Sequence, residues 1–155
     1  MKVGMGWDVH RLAPGRPLIL GGIEIPYEKG LVGHSDADVL VHAVCDALLG
    51  AAGMGDIGEH FPDDDPRFQG VSSIVLLQQV LQMLNPRHSG IGNIDATLFA
   101  QAPRLSPYKA AMQERLAEVL SVSREQVNIK ATTTEGLGYI GEGLGIAAMC
   151  IALID

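Results

Sequence analysis

In GMGWDVHRL, residues 4–12, an Asp and a His stand two positions apart in a segment that alternates like a strand. Residues i and i+2 of a strand share a face, so the side chains of Asp8 and His10 can converge on one point. His42, inside a long apolar run, is the natural third group. One Asp and two His make a three-ligand set with a position left open, the form of a catalytic zinc site. The same set occurs in 2-His-1-carboxylate iron oxygenases. The residues equally admit a salt bridge from Asp8 to Arg11 or Arg16, with His42 as a satisfied core histidine. Asp46, one helical turn after His42, is placed either to hold the second ring nitrogen of His42 or to face solvent.

Four other segments have chemical potential. His34-Ser35 precedes the long apolar run, and a helix start there would present backbone N–H groups and a positive dipole end to a phosphate. Ser35 also reads as an ordinary cap, a use that His34 lacks. FPDDDP, residues 61–66, concentrates carboxylates in a loop, either as a solvated turn or as a ribose or cation contact. KATTTEG, residues 130–136, offers threonine hydroxyls for a phosphate and Glu135 for a hard cation such as Mg2+; three threonines are also good strand residues. AQAPR, residues 100–104, puts Arg104 beside a proline turn, as an exit loop or as a base-binding turn with a phosphate-binding arginine. GLGYIG, residues 136–141, matches G-x-G-x-x-G but lacks the following helix and distant acidic residue of a dinucleotide fold.

These groups need a scaffold. KVGMGWDVHRL predicts a strand with Val3, Met5, Trp7 and Val9 on one face and Gly4, Gly6, Asp8 and His10 on the other. Residues 16–30 predict two short strands around a glycine turn, ended by Pro26. Residues 34–53 predict the clearest helix, capped by Ser35, with Asp36 and Asp38 in its first turn and Gly50 or Gly53 at its end. Residues 55–70 form a polar loop. Residues 72–84 predict a second helix stopped at Asn85-Pro86, and 93–103 a strand with Ile94, Ala96, Leu98 and Ala100 on one side. A third helix follows over 106–120, with Ser106 as cap and Pro107 in the first turn. Residues 127–134 predict a strand, 135–143 a glycine-rich turn, and 144–155 a final strand apolar on both faces. Such a strand is buried on both sides, by helices or by another subunit. Strands and helices alternate without a linker, giving one α/β (α+β) domain over 1–155, a mixed sheet with about three helices.

The chain has 155 residues, 47% of them hydrophobic, with a formal net charge of −7 and no Lys/Arg block. That size supports a real core, and the charge argues against nucleic acid as a partner. Cys45 and Cys150 both lie in apolar runs and read as core residues, not as a disulfide framework. No apolar run reaches the roughly 18 residues of a membrane span and no signal-like start is present, so a cytoplasmic location without membrane contact is expected.

Taken in order, DVH, HSDADVLVHA, GDIGEHFPDDDP, AQAPR and KATTTEGLG resemble the 2-C-methyl-D-erythritol 2,4-cyclodiphosphate synthase family in its stand-alone form, over nearly the whole chain. The resemblance implies a lyase of the non-mevalonate isoprenoid route. It would convert 4-diphosphocytidyl-2-C-methyl-D-erythritol 2-phosphate to the cyclic diphosphate and CMP. It implies a homotrimer with active sites between neighbours around an apolar sheet face. Asp8, His10 and His42 would hold Zn2+ or another divalent transition metal, Glu135 would hold Mg2+ or Mn2+ on the diphosphate, and His34 and Thr133 would stabilise the transition state. Substrate contacts would come from Ser35, from Asp56, Ile57 and Gly58, and from Phe61, Pro62, Asp63, Asp64 and Asp65. Others would come from Ala100, Gln101, Ala102, Pro103, Arg104, Leu105 and Ser106 around cytosine, and from Thr132, Thr134 and Tyr139. Glu142 and Leu144 depart from the Arg and Glu of many relatives near the trimer axis, which implies no affinity there for an isoprenoid diphosphate. A non-catalytic trimeric cytidine-nucleotide sensor is the alternative that the same pocket would allow.

Overall fold

The computed structural model describes residues 1–84 and 90–155. Strand β1 (Lys2–Pro14) lies between β4 (Lys29–Leu31) and β7 (Gly145–Ile154), and β5 (Ile91–Phe99) joins β7 to β6 (Val127–Thr132). The order β4-β1-β7-β5-β6 is mixed: β5 and β6 run parallel and the other neighbours antiparallel. A separate hairpin pairs β2 (Leu18–Leu20) with β3 (Ile23–Ile25). The long helices α1 (Val39–Ala52), α3 (Ser73–Leu84) and α4 (Lys109–Leu120) match the three expected, and two single-turn helices, α2 (Ile57–His60) and α5 (Gly138–Gly141), lie in loops. The expected stop of α3 at Asn85-Pro86 falls outside the described residues. Strand β4 had no counterpart in the sequence reading, and the glycine-rich turn contains α5.

The seat of α1 on β1 comes from residues that are almost absent. A Cβ at Gly4 would overlap the carbonyl oxygen of Ala47, and one at Gly6 that of Ala43. The helix answers with Ala43, Ala47 and Ala51, spaced four apart on one stripe and all buried. Two strand residues advance about 6.7 Å and four helix residues about 6 Å, so each step along β1 meets one turn of α1. The next step after Gly4 and Gly6 is Asp8, and the helix residue that meets it is His42.

Cys45 and Cys150 are both buried in this layer, as expected. Ile146, Ala148, Cys150, Ala152 and Ile154 of β7 face the helices and are buried. The other face is left open: Val3, Met5 and Trp7 are 67, 65 and 50% exposed, and Ile151 is 41% exposed beside them. Within one chain, therefore, β7 is fully covered on one face only: on the other, Ala147 is buried while Met149, Ile151 and Leu153 are partly or largely exposed. Toward β5 and β6 the same outer face turns polar, with Lys130 bonded to Asp95 Oδ2 at 2.6 Å and Asn128 to Oδ1 at 2.8 Å.

Helix α1 starts later than the sequence suggested. Its cap is Asp38, not Ser35, and the left-handed backbone of Ala37 (φ 58°) separates the two. The Asp38 carboxylate accepts N–H bonds from Val41, Gly21 and Gly22 at 3.2, 2.9 and 2.6 Å, tying the helix start to the β2–β3 turn. Helix α1 ends at Gly53 in the left-handed conformation. Ser106 does not cap α4: residues Ser106–Tyr108 form a 3-10 turn without a side-chain cap, and the helix begins at Lys109.

Gly6→Ala is expected to lower stability by about 1–3 kcal/mol, because a backbone atom cannot yield as a side chain would. Gly50→Ala, where only Met5 O lies near at 3.9 Å, is expected to be neutral or stabilising by up to about 1 kcal/mol. Thermal unfolding of both variants checks this; equal effects would show that the α1–β1 approach is not restrictive.

Candidate active site and metal centre

Asp8 Oδ2 lies 2.9 Å from His10 Nε2 and 2.9 Å from His42 Nδ1, and the two ring nitrogens are 3.1 Å apart. These three residues are the group among the described residues whose donor atoms could hold a metal ion. The outer nitrogens are already engaged. His10 Nδ1 donates to Val32 O at 2.8 Å, and His42 Nε2 lies 2.9 Å from Ser73 Oγ and 3.1 Å from Ser35 Oγ. The Val32 carbonyl holds the His10 ring proton outside, so the His10 Nε2 lone pair faces His42 Nδ1 and the Asp8 carboxylate oxygen at contact distance. With the His42 proton also outside, two lone pairs and a carboxylate oxygen would meet there. Such a set repels itself unless a cation sits among its members. A single proton bridges one edge of the triangle, whereas a divalent ion satisfies all three. Tetrahedral bonds of about 2.0–2.1 Å to nitrogen and oxygen would place ligands about 3.3 Å apart, a few tenths of an ångström wider than found here. The donor chemistry thus fits a zinc-like ion with one position open.

The same contacts set the charge balance of the three groups. Burial alone would push the Asp8 carboxyl up, but hydrogen bonds and charge from His10 and His42 outweigh it and hold Asp8 well below the usual carboxylate range. Burial lowers His10, yet the Asp8 carboxylate beside it raises it above its ordinary value overall.

Around this centre lies a cleft of about 190 Å³ whose walls include His34, Ser35, Ile57, Gly58, Phe61 and Asp63. His34 Nε2 bonds the backbone oxygen of Asp65 at 2.9 Å, which fastens the acidic loop over the cleft. Of the loop carboxylates, Asp63 lines the cleft and Asp65 pairs with Arg67 at 2.5 Å. Pro62 and Asp64 are exposed outside its lining. Asp56 caps α2 through Glu59 N at 3.0 Å. Phe61 is buried edge-on against Phe68, with ring centroids 5.3 Å apart.

Two expectations change here. Asp46 does not hold His42: its Oδ1 accepts the Ile57 N–H at 2.8 Å and so anchors the cleft loop to α1. Nor is the region of His34-Ser35 an open helix terminus, since the first turn of α1 begins four residues later and is sealed by buried Asp38. Ser35 instead turns its hydroxyl toward His42.

Most of the remaining candidates line a second cavity of about 270 Å³, walled by Ala100, Gln101, Pro103, Arg104, Leu105 and Ser106 with Thr132 and Thr133 across from them, whereas Thr134 and Glu135 stand outside its lining. Ala102 belongs to the same turn, joined to Pro103 by a cis peptide bond. Thr133 Oγ1 lies 3.3 Å from a Glu135 carboxylate oxygen, Thr134 Oγ1 donates to Leu137 O at 2.8 Å, and the Gly136 N–H reaches Gln101 at 3.3 Å. Glu135 sits at positive φ (55°) at the head of this turn. Tyr139 is exposed on α5, beside the outer sheet face, and lines neither cavity. G-x-G-x-x-G contains only the single turn of α5 before β7, which bears out its dismissal as a dinucleotide loop.

The sheet register shows how the cavities relate. Asp8 on β1 pairs with Ala148 on β7, which pairs with Leu98 on β5 and through it with Ala131 on β6. They therefore sit at one level of the sheet but three strands apart, roughly 14 Å. No residue lines both. Lys109, which sequence reasoning passed over, lines the second cavity; its place three residues after Ser106, one helical turn, was the available signal.

Asp8→Ala is expected to abolish tight Zn2+ or Co2+ retention while leaving the fold, since it removes the only anionic ligand. Metal content after dialysis, with circular dichroism as the folding control, checks this; full retention would place the ion elsewhere.

The chain matches the YgbB family over residues 1–155. It is 58% identical to a 2-C-methyl-D-erythritol 2,4-cyclodiphosphate synthase of Clostridium novyi, covering 100% of this chain and 99% of that one. It is 60% identical to the enzyme of that name from Desulfosudis oleivorans, over 99% and 92% of the two chains. A solved structure of the synthase with CDP bound superposes at a TM-score of 0.91 with 36% identity, covering 99% of this chain and 100% of that one. The bifunctional IspDF of Campylobacter jejuni superposes at 0.94 with 44% identity; this chain matches over 97% of its length and spans 41% of that longer protein. With matches running from end to end, the chain belongs to the YgbB family, whose curated relatives are 2-C-methyl-D-erythritol 2,4-cyclodiphosphate synthases.

Proposed function

We propose that this chain converts 4-diphosphocytidyl-2-C-methyl-D-erythritol 2-phosphate into 2-C-methyl-D-erythritol 2,4-cyclodiphosphate and CMP. The observation that carries the reading is the convergence of Asp8 Oδ2, His10 Nε2 and His42 Nδ1 at the floor of an open cleft. The 2-phosphate oxygen attacks the β-phosphorus, a P–O bond forms, and the bond from that phosphorus to the bridging oxygen breaks with its electrons leaving on CMP. No protein nucleophile is required, so the chain's task is alignment and charge neutralisation. A divalent ion at Asp8, His10 and His42 would supply Lewis-acid polarisation of a phosphoryl oxygen. His34, fixed by the Asp65 backbone, would aim its ring into the same cleft, and Thr133 would offer its hydroxyl to the diphosphate. Glu135 would contribute one oxygen to a Mg2+ or Mn2+ ion, the other ligands coming from the substrate's own phosphates. Arg104 and the Ala100–Ser106 turn would hold the cytidine end.

The reading includes a trimer with shared active sites. A metal cleft and a nucleotide cavity lined by no common residue are half-sites that a neighbour would complete. The bare apolar stripe of Val3, Met5, Trp7 and Ile151 is the kind of surface that a second copy covers. Tyr139 would lie at that interface, and Glu142 and Leu144 would leave no anion site there. No helix among the described residues is long and apolar enough to cross a membrane, in keeping with a cytoplasmic location. A mixed sheet layered with helices does not match the double-stranded β folds of 2-His-1-carboxylate oxygenases.

Incubation with substrate, Zn2+ and Mg2+ is expected to release CMP, and chelation to stop it. Binding without release would favour the nucleotide-sensor reading. Mixed assembly of inactive His42→Ala and inactive Thr133→Val subunits is expected to restore part of the activity; none at all would confine each site to one chain.

A further inference from the structure

His42 and His10 are held from outside by different means. His10 Nδ1 meets a backbone carbonyl, which can only accept, so the ring proton is fixed there. His42 projects from a helix whose carbonyls are occupied, and its Nε2 meets two hydroxyls, those of Ser73 at 2.9 Å and Ser35 at 3.1 Å. A hydroxyl can donate or accept. If Ser73 donated to Nε2, the ring proton would move to Nδ1, the nitrogen that faces Asp8, and block ligation there.

We propose that Asp36 and Ser73 form a positioning relay that fixes the tautomer of His42 and so prepares it as a metal ligand. Ser73 has one hydroxyl proton, and it donates that proton to Oδ1 of the Asp36 carboxylate. The Ser73 oxygen is left as an acceptor, so the proton between it and His42 belongs to Nε2, and the Nδ1 lone pair points to the centre. Ser35 is compatible with this arrangement: its oxygen accepts the Ala37 N–H at 3.1 Å, and with the Ser73 proton on Asp36 its own proton has the Ser73 oxygen as an acceptor 3.4 Å away. Asp36 is itself fixed. Its Oδ2 accepts the Ser73 N–H at 3.1 Å, its Oδ1 the Asp38 N–H at 3.2 Å, and its own N–H donates to Val71 O at 3.0 Å. The left-handed Ala37 gives Asp36 and Asp38 opposite duties, one toward Ser73 and one into the β2–β3 turn. Ser73 is fully buried and Ser35 and His42 nearly so, which keeps water from substituting for either hydroxyl. Partners of this kind typically change metal affinity by about 10–100-fold.

The relay rests on the metal centre proposed above, and its test separates the two. Co2+ is titrated into the metal-free full-length protein and its d–d absorption followed, for the wild type, Asp36→Asn, Ser73→Ala and the double variant. An Asn at 36 can present its amide to Ser73 and reverse the hydroxyl. The relay predicts roughly 10–100-fold weaker Co2+ binding for either single variant, with the melting temperature of the metal-free protein little changed. It also predicts that Asp36→Asn has no further effect once Ser73 is Ala. Unchanged affinity, additive losses in the double variant, or losses that track a lowered melting temperature would overturn it. Should Asp36→Asn fail to fold, wild-type-like Co2+ affinity in Ser73→Ala alone overturns it, and a roughly tenfold or greater loss with an unchanged melting temperature supports it. A wild type that binds no Co2+ would remove the metal centre and the relay together.

Discussion

The close approach of α1 to β1 is the constraint on which the rest of the site depends. Gly4 and Gly6 carry no side chain because the carbonyls of Ala47 and Ala43 occupy that space. This contact fixes the height of α1 above the sheet, and the matched steps of strand and helix fix its register. Asp8 and His42 then meet at 2.9 Å without either needing a long side chain. The glycines beside the DVH motif are thus more than clearance for a ligand: they set the distance across which the ligands meet.

A second layer of order surrounds that contact. Asp38, Asp36 and Ser35 lie within four residues of each other, yet each serves a different partner: the helix start, Ser73 and His42 respectively. Asp46 joins α1 to the loop that carries Ile57 and Gly58 into the cleft. The acidic stretch is likewise divided, with Asp65 held by Arg67 and its backbone by His34, while Asp63 faces the cleft. Among the described residues, no buried side-chain nitrogen or oxygen lacks a partner. Outside the three facing ligand atoms, the polar part of the interior is therefore a satisfied network, the kind that holds its members in one arrangement.

Much of this was legible in the sequence because it is periodic. Alternation in β1 placed Asp8 and His10 on one face, and the apolar runs marked α1, α3, α4, β5, β6 and β7. What was not legible depends on contacts between distant segments. Ser35 looked like a cap because Ser before an apolar run commonly is one; the left-handed turn at Ala37, which moves the helix start to Val39, has no local signature. Asp46 lies one turn from His42, but the loop N–H that claims it arrives from Ile57. Ser73, which does reach His42, stands 31 residues away at the head of another helix. The sheet face of Val3, Met5 and Trp7 is apolar in the sequence and bare in the single chain. Its pattern was legible; what covers it was not.

The most direct measurement is a crystal structure of the protein grown with zinc, with anomalous differences collected at the zinc edge. The account predicts one strong peak per chain, bonded to Asp8 Oδ2, His10 Nε2 and His42 Nδ1 at about 2.0–2.2 Å, with His42 Nε2 still on Ser73. A peak at other residues, ligation of His42 through Nε2, or no peak at this centre would contradict it.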